Sequence, residues 1–115
     1  MNGKNRVVIV FGHAQDDRVV RQVAFLKSRP EALEDRHMVV LQLNGENVRT
    51  VHGNSAGLDA DRLRRGSGVK TDSFRVVLVG KDGAPKLTSK TVVSDVEIFN
   101  LIDQMPMRRS ERRGG

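Results

Sequence analysis

The residues with the strongest claim to chemistry are His13, Asp16 and Asp17, an imidazole and two carboxylates gathered in one short polar segment. Together they have the atoms to move a proton or hold a cation. With Gly12 and Gln15 they also make a polar loop suited to contacting a partner. The same aspartates have a plainer use, because an Asp just before an apolar-periodic run caps a helix and suits its positive end. Two-carboxylate catalysis needs pKa values pushed apart, and adjacent aspartates in a polar loop supply no cause for that. No catalytic residue is therefore assigned, and Gly12, His13, Gln15, Asp16 and Asp17 stand as candidate binding residues.

Other routes to chemistry close quickly. The chain has no Cys, which excludes a thiol nucleophile, thiol-disulfide exchange, thiol peroxidase activity, a disulfide framework and an iron-sulfur cluster. His37 and His52 show neither HxxH nor HxH spacing and read as surface histidines, so no metal site is expected. The run Gly66-Ser67-Gly68-Val69-Lys70-Thr71 resembles a phosphate-binding loop but lacks Gly before Lys, and it follows a helical pattern where that loop must follow a strand. A helix-terminating glycine is the simpler reading. No cofactor is implied.

Charge gives a second candidate surface. The net charge is +6, and about half of the excess lies in the tail, where Arg108, Arg109, Arg112 and Arg113 face a single Glu. With Arg62, Arg64, Arg65, Lys70, Lys86 and Lys90 they offer a phosphate-contacting set. Against nucleic acid stand the interleaved acids and the lack of Trp and Tyr, with only four Phe, largely taken by the core. A protein partner is the expectation.

These residues must be placed by elements. At 115 residues the chain is one domain with an aliphatic core, expected over residues 1–107, followed by a disordered basic tail at 108–115. Arg6 to Phe11 and Met38 to Leu43 are near-continuous apolar runs, the pattern of strands covered on both faces. Between them, Val19, Val20, Val23 and Leu26 fall at helical steps, with Arg18, Arg21, Gln22 and Lys27 assigned to the solvent face. Pro30 stops that helix, and Glu31 to Arg36 predicts a short helical turn. Asn44-Gly45 predicts a turn into a short strand at Val48 to Val51. Asp59 caps a helix that Gly66 to Gly68 close. Phe74 to Val79 and Pro85 to Thr88 read as a hairpin, with Pro85 favouring an edge. Ser94 and Glu97 have capping-box spacing before the stripe Ile98, Phe99, Ile102 and Met105, a terminal helix that Pro106 ends.

The predicted fold is therefore α/β, with the order β-α-β-(β)-α-β-β-α: a mixed central sheet of about four strands flanked by helices, the order of a thioredoxin-like domain. Gly80-Lys81-Asp82-Gly83, Lys86-Leu87 and the ending Ile102-Asp103-Gln104-Met105-Pro106-Met107-Arg108 resemble a domain-of-unknown-function family held to be thioredoxin- or peroxiredoxin-like, over most of Arg6 to Arg108. That family includes small bacterial proteins and domains of secreted sushi-repeat matrix proteins. The resemblance implies the fold and a location that is often extracytoplasmic, and it brings no catalytic set. Laid against a redox-active thioredoxin, Asp16 and Val19 stand about where the two cysteines would be, and neither Ser73 nor Phe74 is the expected proline. A non-redox binding or interaction module is the expected function, contacting partners through Gly12 to Asp17 and the hairpin edge. The alternatives are a non-thiol enzyme using His13 with Asp16 or Asp17, and weak nucleic-acid binding. No run approaches the roughly 20 apolar residues of a membrane span. The location is expected to be extracytoplasmic if an export signal precedes Met1, and cytoplasmic otherwise.

Overall fold

The computed structural model describes residues 5–44, 47–54, 74–81 and 84–105. Five strands form one mixed sheet: β1 (Arg6–Phe11), β2 (Met38–Asn44), β3 (Asn47–His52), β4 (Arg75–Val79) and β5 (Pro85–Ser89), in the spatial order β3-β2-β1-β4-β5. Three helices accompany them: α1 (Asp17–Lys27), α2 (Pro30–Asp35) and α3 (Asp95–Asp103). The arrangement is mixed α/β, as expected, and is compatible with a thioredoxin-like fold. The sheet has five strands where about four were expected, because the short segment expected at Val48 to Val51 is a full strand, Asn47–His52.

The strand β1 is central because its sequence suits no other place: all six of its residues are buried. It runs parallel to β2, from Arg6 opposite Met38 to Phe11 opposite Leu43, with α1 and α2 as the crossover between them. On its other side β4 runs antiparallel, with Val7 opposite Val79 and Phe11 opposite Arg75. Strand alternation then divides the core in two. Val8, Val10, Met38, Val40, Val76 and Leu78 face one way and pack with Val19, Leu26, Leu33, Ile98, Phe99 and Ile102 from the helices. Val7, Ile9, Phe11, Val39, Leu41, Leu43, Val77 and Val79 form a second cluster on the opposite face. Each buried Val, Leu or Ile contributes about 1.5–3 kcal/mol relative to an exposed one, so these clusters decide the register.

The helices on the first face follow their local signals. Asp16 caps α1 from an extended backbone (φ −69°, ψ 126°), and Pro30 opens α2, where its missing N–H costs nothing. Ser94 caps α3 by accepting from Glu97 N–H at 3.1 Å, and Val93 and Ile98 flank that cap inside the core. Two arginines hold α3 against the α1–α2 corner. Arg36 pairs with Asp103 through two bonds of 3.1 and 2.9 Å and lies 4.6 Å from the centroid of the Phe99 ring. Arg29 bonds Asp95 at 3.1 Å and lies 5.4 Å from the same ring.

Two sequence expectations need correction. The helical pattern puts Gln22 on the solvent face of α1, yet it is fully buried: Nε2 donates to the Val93 carbonyl at 2.8 Å and Oε1 accepts from Val93 N–H at 2.7 Å. A side chain that satisfies both backbone groups of one residue is stable in a core. Val20, expected in the apolar stripe, is instead 54% exposed, while three of the four Phe are buried, as expected. The glycine of the Asn44-Gly45 turn, the helix expected from Asp59 to Gly66, the hairpin tip at Asp82-Gly83, the Pro106 stop and the basic tail lie outside the described residues.

Candidate functional site

The end of β1 turns sharply at Gly12, and the local geometry accounts for the glycine. Its φ is +140°, and a Cβ there would lie 2.8 Å from Val19 Cγ2 and 3.7 Å from Phe74 Cα. Its backbone is held on both sides, since its N–H donates to the Leu43 carbonyl at 2.9 Å and its carbonyl accepts from Gln42 Nε2 at 3.1 Å. Gln42, buried on β2, thus ties the loop to the sheet. Next, the His13 carbonyl accepts from Asp16 N–H at 3.0 Å and closes a turn that delivers Asp16 to the cap position.

Asp16 is spent on structure. One carboxylate oxygen accepts from Arg18 N–H at 2.8 Å and Arg18 Nε at 3.1 Å, and the other accepts from Arg18 Nη2 at 2.8 Å. The Arg18 side chain and then its backbone N–H hold the Asp16 carboxyl below the usual carboxylate range, and Asp16 in turn raises Arg18. An Asp held ionised by a fork of donors is a poor general acid. The Arg18 guanidinium also lies 5.0 Å from the centroid of the Phe74 ring, which fixes the far side of the loop. His13, Gln15 and Asp17 are exposed beside this framework.

A groove opens next to the loop, between α1 and the β2–β3 edge of the sheet. It has a volume of about 380 Å³; Ala14, Val19, Val20, Val23 and Ala24 form its apolar lining, and Gln42, Lys27 and Arg49 are its polar lining residues. Arg49 sits on β3 directly opposite Gln42 on β2, which brings it to this face. The sequence held no signal for the groove, because its parts come from three elements and each residue alone reads as ordinary surface or core.

His13 and His37 do not converge. His13 follows the C-terminal end of β1, while His37 precedes β2 at the opposite end of the sheet, where its Nδ1 lies 2.6 Å from Lys81 Nζ. His37 takes a positive φ of 53°, and its carbonyl accepts from Arg6 N–H at 2.7 Å, extending the β1–β2 ladder by one bond. Lys81, read from sequence as part of a hairpin turn, is buried. Among the described residues, no group of three or more His, Asp or Glu is placed to hold a metal ion. Lys86 and Lys90 are exposed on β5 and just beyond it, while Arg62, Arg64, Arg65, Lys70, Arg108, Arg109, Arg112 and Arg113 lie outside the described residues. Among the described residues no helix is long and apolar enough to cross a membrane.

Comparison with known families matches residues 1–111 to the model described as Domain of unknown function (DUF4174). The chain belongs to the DUF4174 family. Neither the curated proteins nor the solved structures give a match. In this DUF4174 domain the two positions that the thioredoxin resemblance aligned with cysteines have structural work: Asp16 caps α1, and Val19 is buried against the Gly12 turn.

Proposed function

We propose that this DUF4174 domain is a non-redox binding module of thioredoxin-like form, and that it recognises its partner with the β1–α1 loop and the groove beside it. One observation carries the reading. The loop backbone is held by Gln42, Leu43 and the Asp16 cap, while His13, Gln15 and Asp17 project outward. A surface fixed before contact loses little conformational entropy on binding, the property expected of a recognition site. A non-thiol enzyme built on His13 and Asp16 has less support, since Asp16 is occupied by Arg18 on both oxygens.

The test is chemical-shift mapping of the ¹⁵N-labelled chain against a fragment library and against candidate protein partners. Shifts at Gly12 to Asp17 and along the groove-facing side of α1 are expected. Shifts confined to the Arg108–Arg113 tail, or to the β5 edge, would reject the loop-centred reading.

A further inference from the structure

The groove differs from the rest of the surface in its charge balance. None of the described residues lining it is acidic, while Lys27 enters from the last turn of α1 and Arg49 from β3. Among the described residues neither cation has a hydrogen bond or ion pair, whereas Arg18, Arg29 and Arg36 are each held by an aspartate. Two uncompensated positive charges lining one groove favour an anion there, and the guanidinium fork favours a planar one. The lining below them is aliphatic and includes Val20, which is 54% exposed although it lies on the groove side of the helix. Gln42 Nε2 gives one of its two N–H groups to the Gly12 carbonyl.

Resting on the binding-module reading, we propose that this groove takes a small amphipathic carboxylate: head group between Arg49 and Lys27, apolar body along Val19, Val20, Val23 and Ala24. The wall of α1 from Val19 to Lys27 runs about 12 Å at the helical rise, enough for a medium-length acyl chain or a single aromatic body. The cavity volume of about 380 Å³ is within the range of small-molecule sites. Head and body are both required by the chemistry. Acetate lacks the apolar contact, and a neutral chain leaves the cations of the groove without a counter-charge.

The test is a ¹⁵N-HSQC titration of the full chain with octanoate below its micelle concentration, alongside octan-1-ol, octylamine and acetate. Octanoate is expected to shift the amides of Val19 to Lys27, Gln42 and Arg49 and to bind at least tenfold more tightly than octan-1-ol. The double variant Lys27→Gln/Arg49→Gln is expected to lose that advantage and to keep its octan-1-ol affinity. Both substituted side chains are exposed, and far-UV circular dichroism checks that the fold is retained. If octan-1-ol or octylamine fills the groove as tightly as octanoate, the ligand class is wrong and the binding-module reading survives. If none of the four moves a groove residue, the inference fails and the groove leaves the proposed recognition surface as well.

Discussion

Replacing Gln22 tests the polar tie in the core most directly. Its side-chain amide satisfies both the N–H and the C=O of Val93, a residue only 4% exposed. Gln22→Leu is close in volume but leaves two buried backbone groups without partners. Each orphaned group costs about 1–3 kcal/mol, partly offset by no longer burying an amide, so a net loss of about 2–4 kcal/mol is expected. Against a total stability of about 5–15 kcal/mol that is a large fraction. The chain has no Trp or Tyr, so urea unfolding is best followed by far-UV circular dichroism, with hydrogen exchange at the Val93 amide as the local readout. Gln22→Glu sharpens the test. A protonated Glu can donate to the Val93 carbonyl and accept from its N–H, whereas a carboxylate faces that carbonyl with like partial charge. Burial and the lost bond both favour the neutral acid, raising the folded-state pKa above the unfolded value near 4.3. The folded protein then binds more protons, so the variant is most stable below about pH 4 and loses stability as pH rises through the folded pKa. A loss under about 1 kcal/mol for Gln22→Leu, or equal losses at pH 4 and pH 7 for Gln22→Glu, would refute the account.

Gly12→Ala combines an unfavourable φ of +140° with a Cβ placed 2.8 Å from Val19 Cγ2. It is expected to destabilise the fold by about 1–3 kcal/mol in urea unfolding and to broaden loop amide signals. For Asp16 the direction follows from its depressed pKa. The stability it contributes is present above the unfolded pKa near 3.9 and fades as pH falls through the lower folded value, so Asp16→Ala should flatten the acid limb of a melting-temperature profile. Arg36→Met removes a two-bond ion pair with Asp103 and leaves only apolar contact on Phe99; a double-mutant cycle with Asp103→Asn should return a coupling of about 0.5–1.5 kcal/mol.

The fold was legible where one residue's type decided its neighbours. The apolar runs in Arg6 to Phe11 and Met38 to Leu43 carry the pattern of strands covered on both sides, and Asp16 and Ser94 announce helix starts through caps that act within three residues. Long-range choices were not legible. Gln22 looks like any polar helix residue until Val93, 71 positions later, arrives to be bonded. Gln42 in β2 is polar amid aliphatics for the sake of the Gly12 carbonyl, and Lys81 is buried beside His37 although both flank elements that a local pattern places apart. The candidate loop was found because a glycine and a cap punctuate it. The groove was missed because Val20 and Arg49 acquire meaning only from their shared wall.

The central place of β1 also orders events in time. Its parallel partner β2 follows after one helical crossover, whereas β4, which pairs Arg75 with Phe11, comes from the far half of the chain. Loop-closure entropy grows with separation, so β1, α1 and β2 can associate before β4 docks. Until it does, one full side of β1 carries unpaired N–H and C=O groups beside Val and Ile side chains, the interval in which chains stick to one another. The Gln22–Val93, Arg29–Asp95, Arg36–Asp103 and Arg18–Phe74 contacts all join the early half to the late one. Interactions that form after the rate-limiting step leave the folding rate almost untouched and act on unfolding. These polar ties would then govern how long a folded molecule stays folded, more than how quickly it forms.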